Sequence, residues 1–154
     1  MQLQTRAEAF LDLWDYWRKY FKLPPLETRA DLRYNSHACV ETWSEADNYH
    51  TRGYIEMVYN PRKLARWSIP LIINCALHEI GHYKNNLPYN TFKQKVKSEY
   101  KAERFAVSMM KKHYPTELKI VINHVKSRNL NNKKWMKEWP IHTQAYLKIK
   151  EYTD

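Results

Sequence analysis

Between Ser68 and Lys84 the chain reads SIPLIINCALHEIGHYK, a stretch too apolar to lie on a surface and too polar at one end to be buried without compensation. Ser68 is placed to cap a helix, and Pro70 falls in the first turn, where its missing N–H costs little. Ile69, Leu71, Ile72, Ile73, Cys75, Ala76, Leu77 and Ile80 are apolar almost all the way round, the pattern of a helix running through a core. His78 and His82 stand one turn apart on one face, close enough for both imidazoles to reach a single tetrahedral ion at about 2.0–2.1 Å. Glu79 is rotated by about 100° from His78, so it borders such an ion without ligating it and can take a proton from water there. This is the HExxH arrangement of a zinc hydrolase, and Zn²⁺ is the expected cofactor. Gly81 is one of only 2 glycines in the chain, and placing it inside a helix costs about 1 kcal/mol relative to alanine. Close packing at that point is the expected reason.

A catalytic zinc takes three protein ligands and leaves a position open, so a third ligand is required. Residues 91–113, TFKQKVKSEYKAERFAVSMMKKH, have helical periodicity: Phe92, Val96, Ala106, Val107 and Met110 form a stripe, and Lys93, Lys97, Lys101, Arg104 and Ser108 the opposite face. Glu99 falls at the centre of the apolar stripe and Glu103 within about 40° of it. Carboxylates in that phase point inward, which suits Glu99 as the third ligand and Glu103 as an acceptor orienting a ligand imidazole.

In these residues the chain resembles the gluzincin metallopeptidases, and more closely the ImmA/IrrE group of small intracellular enzymes. The group's HExGH is matched by His78 to His82, and its E-x-x-A-x-x-F/W-A by Glu99, Ala102, Phe105 and Ala106. The likeness spans roughly Tyr54 to Met110, and Glu103 stands where the group often has Asn or Asp. It implies a mononuclear zinc endopeptidase with a zincin-like fold. Several relatives cut a transcriptional repressor of a mobile element or stress regulon, so a helix-turn-helix repressor is an expected class of substrate.

The rest of the chain predicts a single α+β domain over 1–154, with a small, mainly antiparallel sheet packed on helices and a helical C-terminal extension over 118–154. Thr5 and Glu8 suit a capping box, after which Phe10, Leu13, Trp14, Trp17 and Phe21 recur at helical spacing until Pro24 and Pro25. Leu32–Trp43 and Tyr54–Asn60 read as strands, with polar residues including Ser44, Asp47, Asn48 and Gly53 between them. The second strand either offers an edge to an extended peptide or is paired on both sides. No sequence feature selects an oxyanion donor among Tyr83, Tyr89, Tyr100, His113 and His124. His37, His50 and His142 have no partner at metal spacing and are expected at the surface or in local hydrogen bonds. Cys39 and Cys75 read as small buried hydrophobes rather than a disulfide.

Of the net charge of +10, essentially all lies in residues 93–137, which hold 13 basic and 3 acidic groups. Two of those acids are Glu99 and Glu103. The excess could contact nucleic acid, attract an acidic protein or form a solvated face. A second class of function is therefore a nucleic-acid-binding or interaction module with a structural or absent metal. A SprT-like protease acting on DNA-associated proteins would want a third histidine, and none lies between His82 and His113. The N-terminus has neither a cationic start nor an unbroken apolar run, and no run is long enough to span a bilayer, so a cytoplasmic protein without membrane contact is expected.

Overall fold

The computed structural model describes residues 4–43 and 53–154, and only the backbone of residues 38–43 and 53–55. Ser44, Asp47, Asn48 and His50 lie outside the described residues, as does the side chain of Cys39.

Chain order is α1 (Arg6–Tyr20), β1 (Glu27–Ala30), β2 (Ala38–Trp43), β3 (Gly53–Tyr59), α2 (Pro61–Leu64), α3 (Ile69–Asn85), α4 (Phe92–His113), α5 (Pro115–His124), α6 (Lys133–Glu138), α7 (Pro140–Tyr146) and α8 (Lys150–Thr153). A π-helical turn, Val125–Asn129, continues α5. The described fold is mostly helical with a small sheet, which bears out α+β in outline.

The sheet itself differs from the mainly antiparallel one expected. Its order is β1-β3-β2, with β2 antiparallel and β1 parallel to β3. The direction reverses once between β1 and β2 and again between β2 and β3, so β3 runs with β1. Because β3 lies between the other two, β1 meets it rather than β2. All four residues of β1, ETRA, are exposed, so no apolar alternation announces this strand. Residues 31–37 are irregular rather than the start of β2. Of the two readings of β3, pairing on both sides is the one found over Glu56–Tyr59, which leaves that stretch without a free edge.

α1 begins where expected, with the Thr5 hydroxyl accepting from the Glu8 N–H at 3.1 Å. It packs beside α3 and buries Phe10, Trp14 and Trp17 in the core, with Trp14 stacked on Tyr83 of α3 and Trp17 against His113 of α4. Ser68 stands at the N-cap of α3 in extended geometry but makes no side-chain capping bond. α3 is the central element, and every residue from Cys75 to His82 is buried. α4 starts at a capping box between Thr91 and Gln94 and turns Val96, Ala102, Ala106, Val107 and Met110 inward. Phe92, expected on that stripe, is exposed because it sits at the helix's open first turn.

At Gly81, α3 lies directly against the backbone of α4. A Cβ there would lie 2.8 Å from the Ala102 carbonyl oxygen and 2.9 Å from its Cα, both backbone atoms that cannot swing aside. Alanine at 81 gains about 1 kcal/mol of helix propensity, while overpacking costs about 1–3 kcal/mol and the clash is at its hard end. Gly81→Ala is therefore expected to lower unfolding free energy by about 1–2 kcal/mol in urea titration. An unchanged or raised midpoint would show that the helices separate without strain.

Candidate metal centre

α3 and α4 meet with the polar ends of both stripes facing one another. His78, Glu79, His82, Glu99 and Glu103 are all buried, although glutamate seldom is unless paired. His78 Nε2 lies 3.1 Å from His82 Nε2 and 2.9 Å from Glu99 Oε2, and His82 Nε2 lies 3.1 Å from the same oxygen. Three atoms from three side chains thus form a near-equilateral triangle. In a tetrahedral site with bonds of about 2.0–2.1 Å, ligand atoms stand about 3.3 Å apart. His78, Glu79 and His82 likewise bring ligand atoms within 4.8 Å of one another and form a group able to hold a metal ion. The triangle with Glu99 is the tighter of the two.

The far sides of the ligands explain why the triangle faces inward. The Nδ1 of His78 lies 2.6 Å from Glu103 Oε2, and that of His82 lies 3.3 Å from the Ser98 hydroxyl. If both Nδ1 atoms donate to these oxygens, both Nε2 atoms are left with a lone pair turned to the centre. Glu99 is divided in the same manner: Oε1 accepts from the Tyr89 hydroxyl at 2.7 Å, leaving Oε2 for the triangle. With both imidazoles neutral, as metal ligation requires, three acceptors cannot satisfy one another by hydrogen bonds, whereas one cation satisfies all three. The residues present fit a divalent ion.

Glu103 carries more than His78. Its Oε1 accepts from the Asn74 amide at 3.0 Å and from the Tyr152 hydroxyl, so α3, α4 and α8 converge on one carboxylate. Burial opposes ionisation of both glutamates, yet both titrate below the ordinary range. For Glu99 the His82 and His78 imidazoles outweigh burial, and for Glu103 it is His78, Tyr152 and Asn74. Burial likewise disfavours charge on His78, but Glu103 and Glu99 hold its pKa well above the usual value. Burial and the Glu103 carboxylate push the Tyr152 phenol well up, so it remains a donor.

A cavity of about 580 Å³ opens onto this centre. Its wall includes Glu79, Tyr89 and His142, and farther off Tyr34, His37, Lys63 and Trp67. His142 Nε2 is 3.4 Å from Glu99 Oε2, so α7 contributes a histidine to the site, contrary to the surface or locally bonded role expected of it. Its neighbour lies 43 positions away, beyond the reach of spacing arguments. Burial lowers the His142 pKa against the raising effect of Glu99. His37 is stacked on Trp67, and burial, with Lys63 and His124 nearby, lowers its pKa to about 4. Of the oxyanion candidates, Tyr89 and His124 line the cavity; Tyr83 donates to the Pro24 carbonyl instead, and His113 packs on Trp17.

Ser98, Asn74, Tyr89, Tyr152 and His142 complete the site without a motif to mark them. Ser98 alone had a signal, as a hydroxyl beside Glu99 on the buried side of α4. Orienting partners of metal-bound histidines typically carry a 10–100-fold share of metal affinity. Glu103→Ala is expected to weaken Zn²⁺ binding by about that factor in chelator competition, and Tyr152→Phe by less, since Asn74 still holds Oε1. Equal affinity in Glu103→Ala would mean that His78 is oriented by packing alone.

Comparison of the chain with models of protein families, with curated proteins and with solved structures finds no match.

Proposed function

We propose that the protein is a zinc-dependent endopeptidase of zincin-like fold, related to the ImmA/IrrE group, with His78, His82 and Glu99 as metal ligands and Glu79 as general base. The observation that carries this reading is the meeting of two Nε2 atoms and one carboxylate oxygen within 2.9–3.1 Å of one another, with Glu79 beside them in an open cavity. A purely structural zinc would normally be closed by four protein ligands.

A bound zinc supplies Lewis acidity toward a carbonyl oxygen and lowers the pKa of a coordinated water toward about 7. Glu79, held on the helix between the two histidines, accepts a proton from the attacking water and passes it to the departing amine as the C–N bond breaks. His142 borders Glu99 and lines the cavity, so it is the better-placed donor to the developing oxyanion. The Tyr89 hydroxyl is already engaged by Glu99 and acts through that carboxylate. Glu103 keeps the His78 ring in register. The substrate is a protein; the resemblance makes a helix-turn-helix repressor of a mobile element or stress regulon the first to test, and the cytoplasm the expected setting. Among the described residues no helix is long and apolar enough to cross a membrane.

Purified without chelator, wild type and Glu79→Gln are both expected to retain about one zinc per chain, with proteolysis reduced about 10²- to 10⁴-fold in the variant. Glu99→Ala should lose the metal. A wild type without zinc, or Glu99→Ala with undiminished affinity, would sink the assignment.

The alternative is a nucleic-acid-binding module, favoured by one observation: Lys93, Lys97, Lys101 and Arg104 all lie exposed along one face of α4. The same basic surface could instead hold an acidic or DNA-associated protein substrate. Arg104 and Lys111 are partly offset by Glu151, at 3.5 and 3.6 Å. If this face contacts phosphates, DNA affinity measured by fluorescence anisotropy must fall steeply between about 50 and 200 mM salt. A flat salt dependence excludes the role.

A further inference from the structure

The cavity extends beyond the metal centre, and several of its lining residues are aromatic. Three of the chain's 6 tryptophans, Trp67, Trp135 and Trp139, line it. Each is only partly buried, whereas the core tryptophans Trp14 and Trp17 are 3% and 2% exposed. Trp135 stacks on Tyr146 at 6.0 Å, and Trp139 meets His142 edge-on at 5.5 Å. Through Tyr146 and His142 these two rings are continuous with the residue next to Glu99, and Trp67 lines the same cavity stacked on His37. α6, which carries Trp135, contributes no buried residue to the core. Its one residue in the cavity lining is Trp135. The π-helical turn before it, closed by the Leu130 N–H on the Val125 carbonyl at 2.9 Å, sets Val125 and Asn129 in the same wall. Such wide turns recur at functional sites because they shift side chains out of helical phase.

Resting on the peptidase reading, we propose that Trp67, Trp135, Trp139 and Tyr146 form a subsite selecting substrates with a large apolar or aromatic side chain beside the scissile bond. A cavity of about 580 Å³ lies within the range of ligand pockets, and aromatic faces bury such a side chain in stacked or edge-on contact. An acidic side chain fits less well, because the carboxylates of Glu79, Glu99 and Glu103 line the same cavity. The wall comes largely from residues 125–146, so this part of the chain reads the substrate while α3 and α4 carry out the chemistry.

The test uses blocked tetrapeptides that differ at one position in Phe, Leu, Ala, Asp or Lys. Binding to full-length Glu79→Gln is measured by calorimetry, and cleavage by wild type through product analysis. The Phe and Leu peptides are expected to bind, and to be cleaved, about tenfold or more better than the others. Trp139→Ala and Trp135→Ala should compress that ratio to about threefold or less without changing zinc content, while Trp139→Phe retains most of it. A preference for Asp, an absence of binding by every peptide, or the same ratio in the alanine variants overturns the subsite. Cleavage by wild type without side-chain preference removes the subsite and leaves the peptidase standing. Side-chain preference in binding, with no cleavage by wild type, removes the peptidase and leaves the subsite as a peptide-binding surface.

Discussion

The contact between α3 and α4 in which Gly81 lies against the Ala102 backbone governs the geometry of the whole centre. Two helices normally pack with their axes 8–10 Å apart, a separation fixed by the side chains between them. Removing the side chain at the crossing lets the helices come near enough for Glu99 Oε2 to stand within 3.1 Å of both histidine Nε2 atoms. A methyl group at that point would wedge the helices apart, and a carboxylate on one helix would then no longer share a centre with imidazoles on the other. The glycine and the ligand triangle are thus two aspects of one packing solution.

Around that crossing the structure offsets the cost of burying charge. Two glutamates that are 5% and 1% exposed would be strongly disfavoured in an apolar core without partners. Glu103 is matched by an imidazole, an amide and a phenol, and Glu99 by two imidazoles and a phenol. The partners arrive from α3, α8 and the segment before α4. Forming the site is therefore coupled to docking of the C-terminal helix, because Tyr152 is buried at 2% exposure and ends on the same carboxylate that orients His78. A helical tail of no obvious chemistry becomes part of the scaffold of the centre.

Helical periodicity makes four site residues visible in the sequence. His78 and His82 share a face by spacing alone, and Glu99 and Glu103 fall on an apolar stripe that can only be the buried side. Their burial and mutual contacts follow that phase. β1 was invisible for the opposite reason. A four-residue exposed strand has no apolar pattern, and it exists because β3 provides a row of backbone partners. The pairing of β3 on both sides was equally out of reach, since alternation along one strand says nothing about how many neighbours it has.

Local sequence determined which residues could ligate a metal, because helix geometry converts spacing into direction with no reference to the rest of the chain. Tertiary structure decided which groups support them. Asn74 and Tyr152 reach Glu103 from positions 29 residues before it and 49 after it, and His142 reaches Glu99 across 43. Contacts over such separations depend on where whole elements dock, and that is settled by the sum of the core's packing rather than by any motif. The aromatic lining has the same origin: Trp67 comes to share a cavity with Trp135 and Trp139, from a distant part of the chain, only through the docking of the C-terminal helices.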